Sequence, residues 1–186
     1  NISHCTTQWQ INKSYSFLKS IKPNTLVNKK NVSFITSSKN WMSGHQKRHI
    51  LVKYLKNNNH DFDLFGRGIN PIKDKFDALY PYKYSIAIEN SIVPHYWTDK
   101  ITDCFLSWTM PIYCGAPNIF DYFPREAIII IDPNDLSESL KKIDNAIENK
   151  LWERNLMAIK KARDLVLDKY QFFPFISNEI NNHLKS

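Results

Sequence analysis

The feature that most constrains this chain is an order repeated along it, in which short β-prone runs alternate with segments apolar at helical spacing. NVSFITS at Asn31–Ser37, DFDLF at Asp61–Phe65, YKYSIAI at Tyr82–Ile88, MPIYC at Met110–Cys114 and AIIII at Ala127–Ile131 read as strands. Between them, Ile50, Leu51, Tyr54 and Leu55 predict a helix over His45–Asn58, after a loop that ends at Gly44. A short helix is expected over Ile72–Leu79 behind Pro71. Thr98 is placed to cap a further helix carrying Ile101, Phe105, Leu106 and Trp108. Leu136 to about Tyr170 reads as two helices, and the tail from Phe172 to Leu184 as one more. Repeated β-then-α order implies an α/β fold: an open, mainly parallel sheet with helices on both sides. AIIII is the kind of run that parallel sheets bury on both faces.

Such a sheet binds ligands at the carboxyl ends of its strands, where loops feed helix N-termini whose free N–H groups favour phosphates. The loops to inspect are therefore Ser37–Lys47, Phe65–Asn70, Glu89–Lys100 and Gly115–Phe123. None contains a Walker A sequence or a GxGxxG, which disfavours P-loop NTPases and ordinary NAD enzymes. The net charge of +7 suits an anionic partner, but no block of five like charges occurs. With no basic-aromatic motif either, a nucleic-acid partner is not expected. Cys5, Cys104 and Cys114 lack metal-ligand spacing and read as buried free thiols of a reducing compartment. No apolar run approaches the roughly 20 residues of a membrane span, and no signal peptide is recognisable. A cytoplasmic setting, at most peripheral to a membrane, is expected. Because the chain begins at Asn1, it reads as part of something longer.

The richest stretch runs from Tyr82 to Asp132. A strand ends in Glu89-Asn90-Ser91, and a polar, aromatic loop leads to Tyr96-Trp97-Thr98-Asp99-Lys100 at a helix start. A lysine in a first helical turn can neutralise a pyrophosphate, and an aspartate there can accept hydrogen bonds from sugar hydroxyls. Asn90 can both donate and accept, as a ribose or hexose contact requires. Each has a plainer account. Aspartate suits a helix N-terminus for dipole reasons alone, Lys100 reads equally as a surface charge, Tyr96 and Trp97 as packing groups, and Glu89 as the cap of a strand–loop junction.

Taken together, IENS (Ile88–Ser91), YWTDK (Tyr96–Lys100), MPIYCG (Met110–Gly115), DYFP (Asp121–Pro124) and IIID (Ile129–Asp132) resemble the donor-binding signature of family 10 glycosyltransferases, the α-1,3/1,4-fucosyltransferases. Upstream, NVSFITSSKNWMSGHQKRHILVKYL is similar to that family's first strand and basic helix, and DLFGRG (Asp63–Gly68) to its next strand and glycine turn. The likeness covers about Val27 to Ile143. One position departs from it: the family's Thr-Glu-Lys reads Thr98-Asp99-Lys100, shortening the carboxylate's reach by about 1.5 Å.

The resemblance implies a Rossmann-like domain, the C-terminal, nucleotide-sugar-binding half of a two-domain GT-B enzyme. It implies GDP-fucose as donor, a glycan hydroxyl as acceptor, an inverting displacement, and no required metal cofactor. The donor-binding residues it implies are Arg48, with Lys47 as second choice, together with Gly66, Glu89, Asn90, Tyr96, Asp99 and Lys100. The general base is expected in an N-terminal domain, against which this chain would pack. The expected division is a linker or helical lead-in from a missing N-terminal domain over 1–30, the donor domain over 31–170 and a helical tail over 171–186. Two alternatives stand beside this reading: a GT-B donor domain for another nucleotide sugar, and a non-catalytic α/β binding module.

Overall fold

Five parallel strands form one sheet in the order β2-β1-β3-β4-β5, and this order decides where a ligand can sit. The computed structural model describes residues 8–22, 29–37 and 43–183. Cys5 and the middle of the first expected loop, at 38–42, lie outside the described residues. The strands are β1 (Lys30–Ile35), β2 (Asp63–Phe65), β3 (Tyr82–Ile88), β4 (Met110–Cys114) and β5 (Ile129–Ile130). The helices are α1 (Tyr15–Ser20), α2 (Ser43–Asn57), α3 (Phe76–Leu79), α4 (Asp99–Leu106), α5 (Leu136–Glu148), α6 (Leu151–Arg154), α7 (Leu156–Leu165) and α8 (Phe172–His183).

β3 and β4 have the limits their patterns predict, and every residue of β4 is buried, as expected of central strands covered by helices on both faces. β3 pairs with β1 and with β4, with Phe34 opposite Ile86 and Ile86 opposite Ile112. A hydroxyl bridge crosses the same sheet, Ser33 Oγ donating to Ser85 Oγ at 3.0 Å, which lets two serines be buried without loss of hydrogen bonding. Beneath α4, Trp97 is fully buried with Tyr122, Phe123 and Tyr170 edge-on to its ring at 5.4–5.5 Å. This is the geometry aromatic quadrupoles favour, and it makes Trp97 a packing residue.

Several boundaries differ from the sequence-based expectation, each for a local reason. β5 is shorter than Ala127–Ile131, because Arg125–Ala127 closes a 3-10 turn in which the Ala127 N–H donates to the Pro124 carbonyl. As an edge strand β5 is also open on one side, and Ile130 is 38% exposed, so the AIIII run is not buried on both faces. The helix after Pro71 starts late, at Phe76, because the Asp74 carboxylate takes the Phe76 N–H at 2.9 Å. Leu136–Tyr170 divides further than into two helices. Lys150 adopts a left-handed φ of 51° between α5 and α6, and Val166–Tyr170 widens into a π turn after α7. Gly44 lies in the first turn of α2 and does not close the preceding loop.

A helix, α1, lies within the lead-in over 1–30. α1 is capped by Ser14, whose Oγ accepts the Phe17 N–H. Leu18, within α1, and Ile11 ahead of it are buried in the same core as the sheet.

Candidate functional site

In a 2-1-3-4-5 sheet the chain leaves β1 toward one edge and β3 toward the other, so a crevice opens between their carboxyl ends. A cavity of about 250 Å³ lies there. Ile35, Thr36 and Ser37 line it from the end of β1, and Ser85–Ile88 from β3. Gly66 and Arg67 close it from β2, and α2 contributes Arg48. α4 contributes Asp99, Lys100 and Asp103, and Lys75 enters from the link between β2 and β3.

The end of β3 organises the site. Glu89 is 1% exposed. Its Oε1 accepts the Thr98 N–H at 2.9 Å, and Oε2 accepts the Thr98 hydroxyl at 2.9 Å and the Lys100 ammonium at 3.1 Å. Thr98 in turn caps α4, its Oγ1 accepting the Lys100 N–H. One buried carboxylate therefore fixes the first turn of α4 and the Lys100 side chain together. The room for it comes from Gly115, where a Cβ would stand 2.6 Å from Glu89 Cγ and 2.1 Å from the Tyr113 hydroxyl.

Arg48 projects from α2 into the cavity and is only 7% exposed. Its guanidinium donates to Asn90 Oδ1. Burial lowers its pKa, and the nearby Glu89 and Tyr96 draw it back up; an arginine remains charged throughout. Asp99 and Asp103 both accept from Lys75, Asp103 at 3.3 Å. Burial pushes the Asp103 carboxyl up to about 7 against the pull of Lys75.

Gly66 holds the β2 end of the cavity. Its φ is +133°, and a Cβ there would meet the Thr36 carbonyl oxygen at 1.6 Å. The glycine lets β2 close against β1, where the Thr36 N–H donates to the Phe65 carbonyl at 2.8 Å.

Of the residues singled out from sequence, Arg48, Gly66, Asp99 and Lys100 thus line one cavity. Asn90 and Glu89 stand behind it, holding Arg48 and Lys100 respectively. Tyr96 is half-buried and outside the lining. Sequence reasoning did not select Lys75, Asp103 or Arg67. Lys75 and Asp103 meet across the fold, and no local pattern marks either. Arg67 lies inside the Gly66-Arg67-Gly68 turn, whose glycines are the stronger local signal. Cys104 and Cys114 are free, buried thiols, as expected. Among the described residues no three His, Cys, Asp or Glu side chains converge as a metal site would require, and no helix is long and apolar enough to cross a membrane.

The family model of glycosyltransferase family 10 (fucosyltransferase), C-terminal part, matches residues 26–155. The chain belongs to glycosyltransferase family 10. It is 32% identical over 164 residues to α-(1,3)-fucosyltransferase B of Drosophila melanogaster, covering 75% of this chain and 37% of that one. It is 29% identical over 82 residues to GDP-fucose protein O-fucosyltransferase 3 of Danio rerio, covering 44% of this chain and 18% of the other. Among solved structures, an α1,3-fucosyltransferase with GDP-fucose superposes with a TM-score of 0.58 at 19% identity, over 78% of this chain and 50% of that one. This family 10 chain thus spans half or less of the relatives it matches, and it has the parallel α/β fold of GT-B fucosyltransferases.

Proposed function

We propose that this chain binds GDP-fucose in the crevice between the ends of β1 and β3. Completed by an acceptor domain, it would transfer fucose to a glycan hydroxyl by inverting displacement. The observation that carries this reading is the convergence of Arg48 and Lys100, from two different helices, on the cavity at the switch point of the sheet. Both cations are held by partners within the chain, Arg48 by Asn90 and Lys100 by Glu89. Such preorganisation favours charge that develops on a departing diphosphate, since the donors need not reorganise as it forms. In this reading residues 31–170 are the donor domain, 1–30 lead in from the acceptor domain, and 171–186 are a tail.

The chemistry divides accordingly. Arg48 and Lys100 hold the diphosphate and take up its growing negative charge as the anomeric bond breaks. Asp99 is offered to ribose or hexose hydroxyls, while Asn90 serves by holding Arg48 in place. A general base must deprotonate the acceptor hydroxyl, and Glu89 is unsuited to that task because its oxygens are engaged by Thr98 and Lys100. The base is therefore assigned to the acceptor domain, and in this reading the cations serve without a metal. Buried, unpaired Cys104 and Cys114 suit a reducing, cytoplasmic setting.

A second donor remains in view because Asp99, shorter than the glutamate of the family pattern, is engaged by Lys75. Calorimetric titration with GDP-fucose, GDP-mannose and UDP-glucose separates the readings. Tightest binding of GDP-fucose is expected. Preference for another nucleotide sugar would move the chain to a different donor, and no binding by a folded chain would overturn the donor-domain reading.

A further inference from the structure

Lys75 stands at the start of the short helix α3, outside the strand ends and the two helices that supply Arg48 and Lys100. It is the residue before α3, and its side chain reaches across to α4, where its ammonium bridges Asp99 and Asp103. Asp103 is fixed in its own right: it is 1% exposed, and its carboxylate accepts the Gln10 N–H at 3.0 Å from a segment 93 residues away. The ammonium is thus anchored from two sides, while the Lys75 side chain keeps 29% of its exposure and lines the same cavity as Arg48 and Lys100. Burial alone would lower its pKa, but Asp103 and Asp99 more than offset this, so the amine is held charged.

An ammonium has three N–H donors and no acceptor. Asp99 and Asp103 take two of them, which leaves one for a molecule in the cavity. A cation shared by two carboxylates in a poorly solvated place contributes little to stability, because desolvation offsets most of the attraction. A perturbed ionic cluster in a cleft is instead the mark of a working site.

We infer that Lys75 is a further donor-binding residue, its ammonium held by Asp99 and Asp103 so that it meets an anionic oxygen of the nucleotide diphosphate. The inference rests on the donor-domain reading above. Asp103 then acts as a positioning residue: it touches no ligand but sets where the lysine stands.

The test is calorimetric titration of the whole chain with GDP at several salt concentrations. The arms are the unaltered chain, Lys75→Met, Lys75→Arg, and Lys75→Met combined with Asp103→Asn so that no buried carboxylate loses its partner. Loss of one charged hydrogen bond predicts binding weakened about tenfold in both methionine variants. It also predicts a shallower dependence of Kd on salt, because one screened contact is gone, and Lys75→Arg should restore the steeper dependence. A purely structural role would change the melting temperature and leave the salt dependence alone. Unaltered Kd and salt dependence in the folded double variant would overturn the inference while leaving the donor reading intact. Failure of the unaltered chain to bind GDP would overturn both.

Discussion

Glu89 and Thr98 are joined twice over, the carboxylate accepting both the Thr98 backbone N–H and its hydroxyl at 2.9 Å. This pairing ties the end of the central strand β3 to the start of α4, and Lys100 is drawn into the same knot at 3.1 Å.

Glu89 should therefore matter to folding and to binding, and so should Lys100, whose loss leaves the buried Glu89 carboxylate without its cation. Glu89→Ala removes a wholly buried partner of a charge and a helix start. It is expected to cost about 3 kcal/mol of unfolding free energy, measured by urea denaturation. Lys100→Ala is expected to leave GDP-fucose binding about 10- to 100-fold weaker. If both variants bind as the unaltered chain does, the proposed site is misplaced.

Gly66→Ala tests the corner of the cavity. With φ at +133° and the Thr36 carbonyl 1.6 Å from the added methyl, the backbone of β1 or β2 must move. A loss of about 3 kcal/mol or more is expected, in the range of strained or overpacked sites. A melting temperature within a degree or two of the unaltered chain would show that the turn relaxes freely.

Trp97 fills the space between α4 and the Tyr122–Phe123–Tyr170 cluster. Trp97→Ala should cost about 3–5 kcal/mol through the cavity it leaves, while Trp97→Phe should recover part of that. Its position two residues before Asp99 means that donor binding should weaken along with stability. Chemical denaturation and titration on the same samples would show whether the two losses move together.

The pH dependence of stability should carry the signature of Asp103. Burial raises its folded pKa to about 7 from the ordinary carboxylate value of 3.8, so the folded state keeps a proton that the unfolded state has lost. Its contribution to stability is then fully present below about pH 4 and is lost as pH rises to about 7. Lys29 acts in the next window. Burial lowers it to about 7 from 10.5, so its contribution to stability grows as pH rises between those values. Urea denaturation from pH 5 to pH 10 should find the first slope flattened by Asp103→Asn and the second by Lys29→Met. Slopes unchanged in the variants would contradict these assignments.

Much of this was legible along the chain. β4 has the limits its pattern predicts because a central strand buried on both faces admits an unbroken apolar run, and β3 because its aromatic and β-branched run ends at the polar Glu89-Asn90. Gly66, Asp99 and Lys100 could be found because turn geometry and helix starts are local matters that leave a local mark. Arg48 was selected by its likeness to a family pattern, and its buried place in the cavity is a tertiary fact. β5 was overread because four isoleucines in a row do not reveal that the strand lies at an edge.

The sequence by itself determined the alternation of strands and helices, the loops able to meet a phosphate and the family pattern, since each depends on residues near one another in the chain. Only the tertiary structure decided that the strands order as 2-1-3-4-5, that the crevice opens between β1 and β3, and that Glu89 serves Thr98 and Lys100. It also brought Lys75, Asp103 and Gln10 together from three distant segments. Strand order and buried charge pairing depend on what each element meets after folding, and the energy of those meetings is written in no single stretch of the chain.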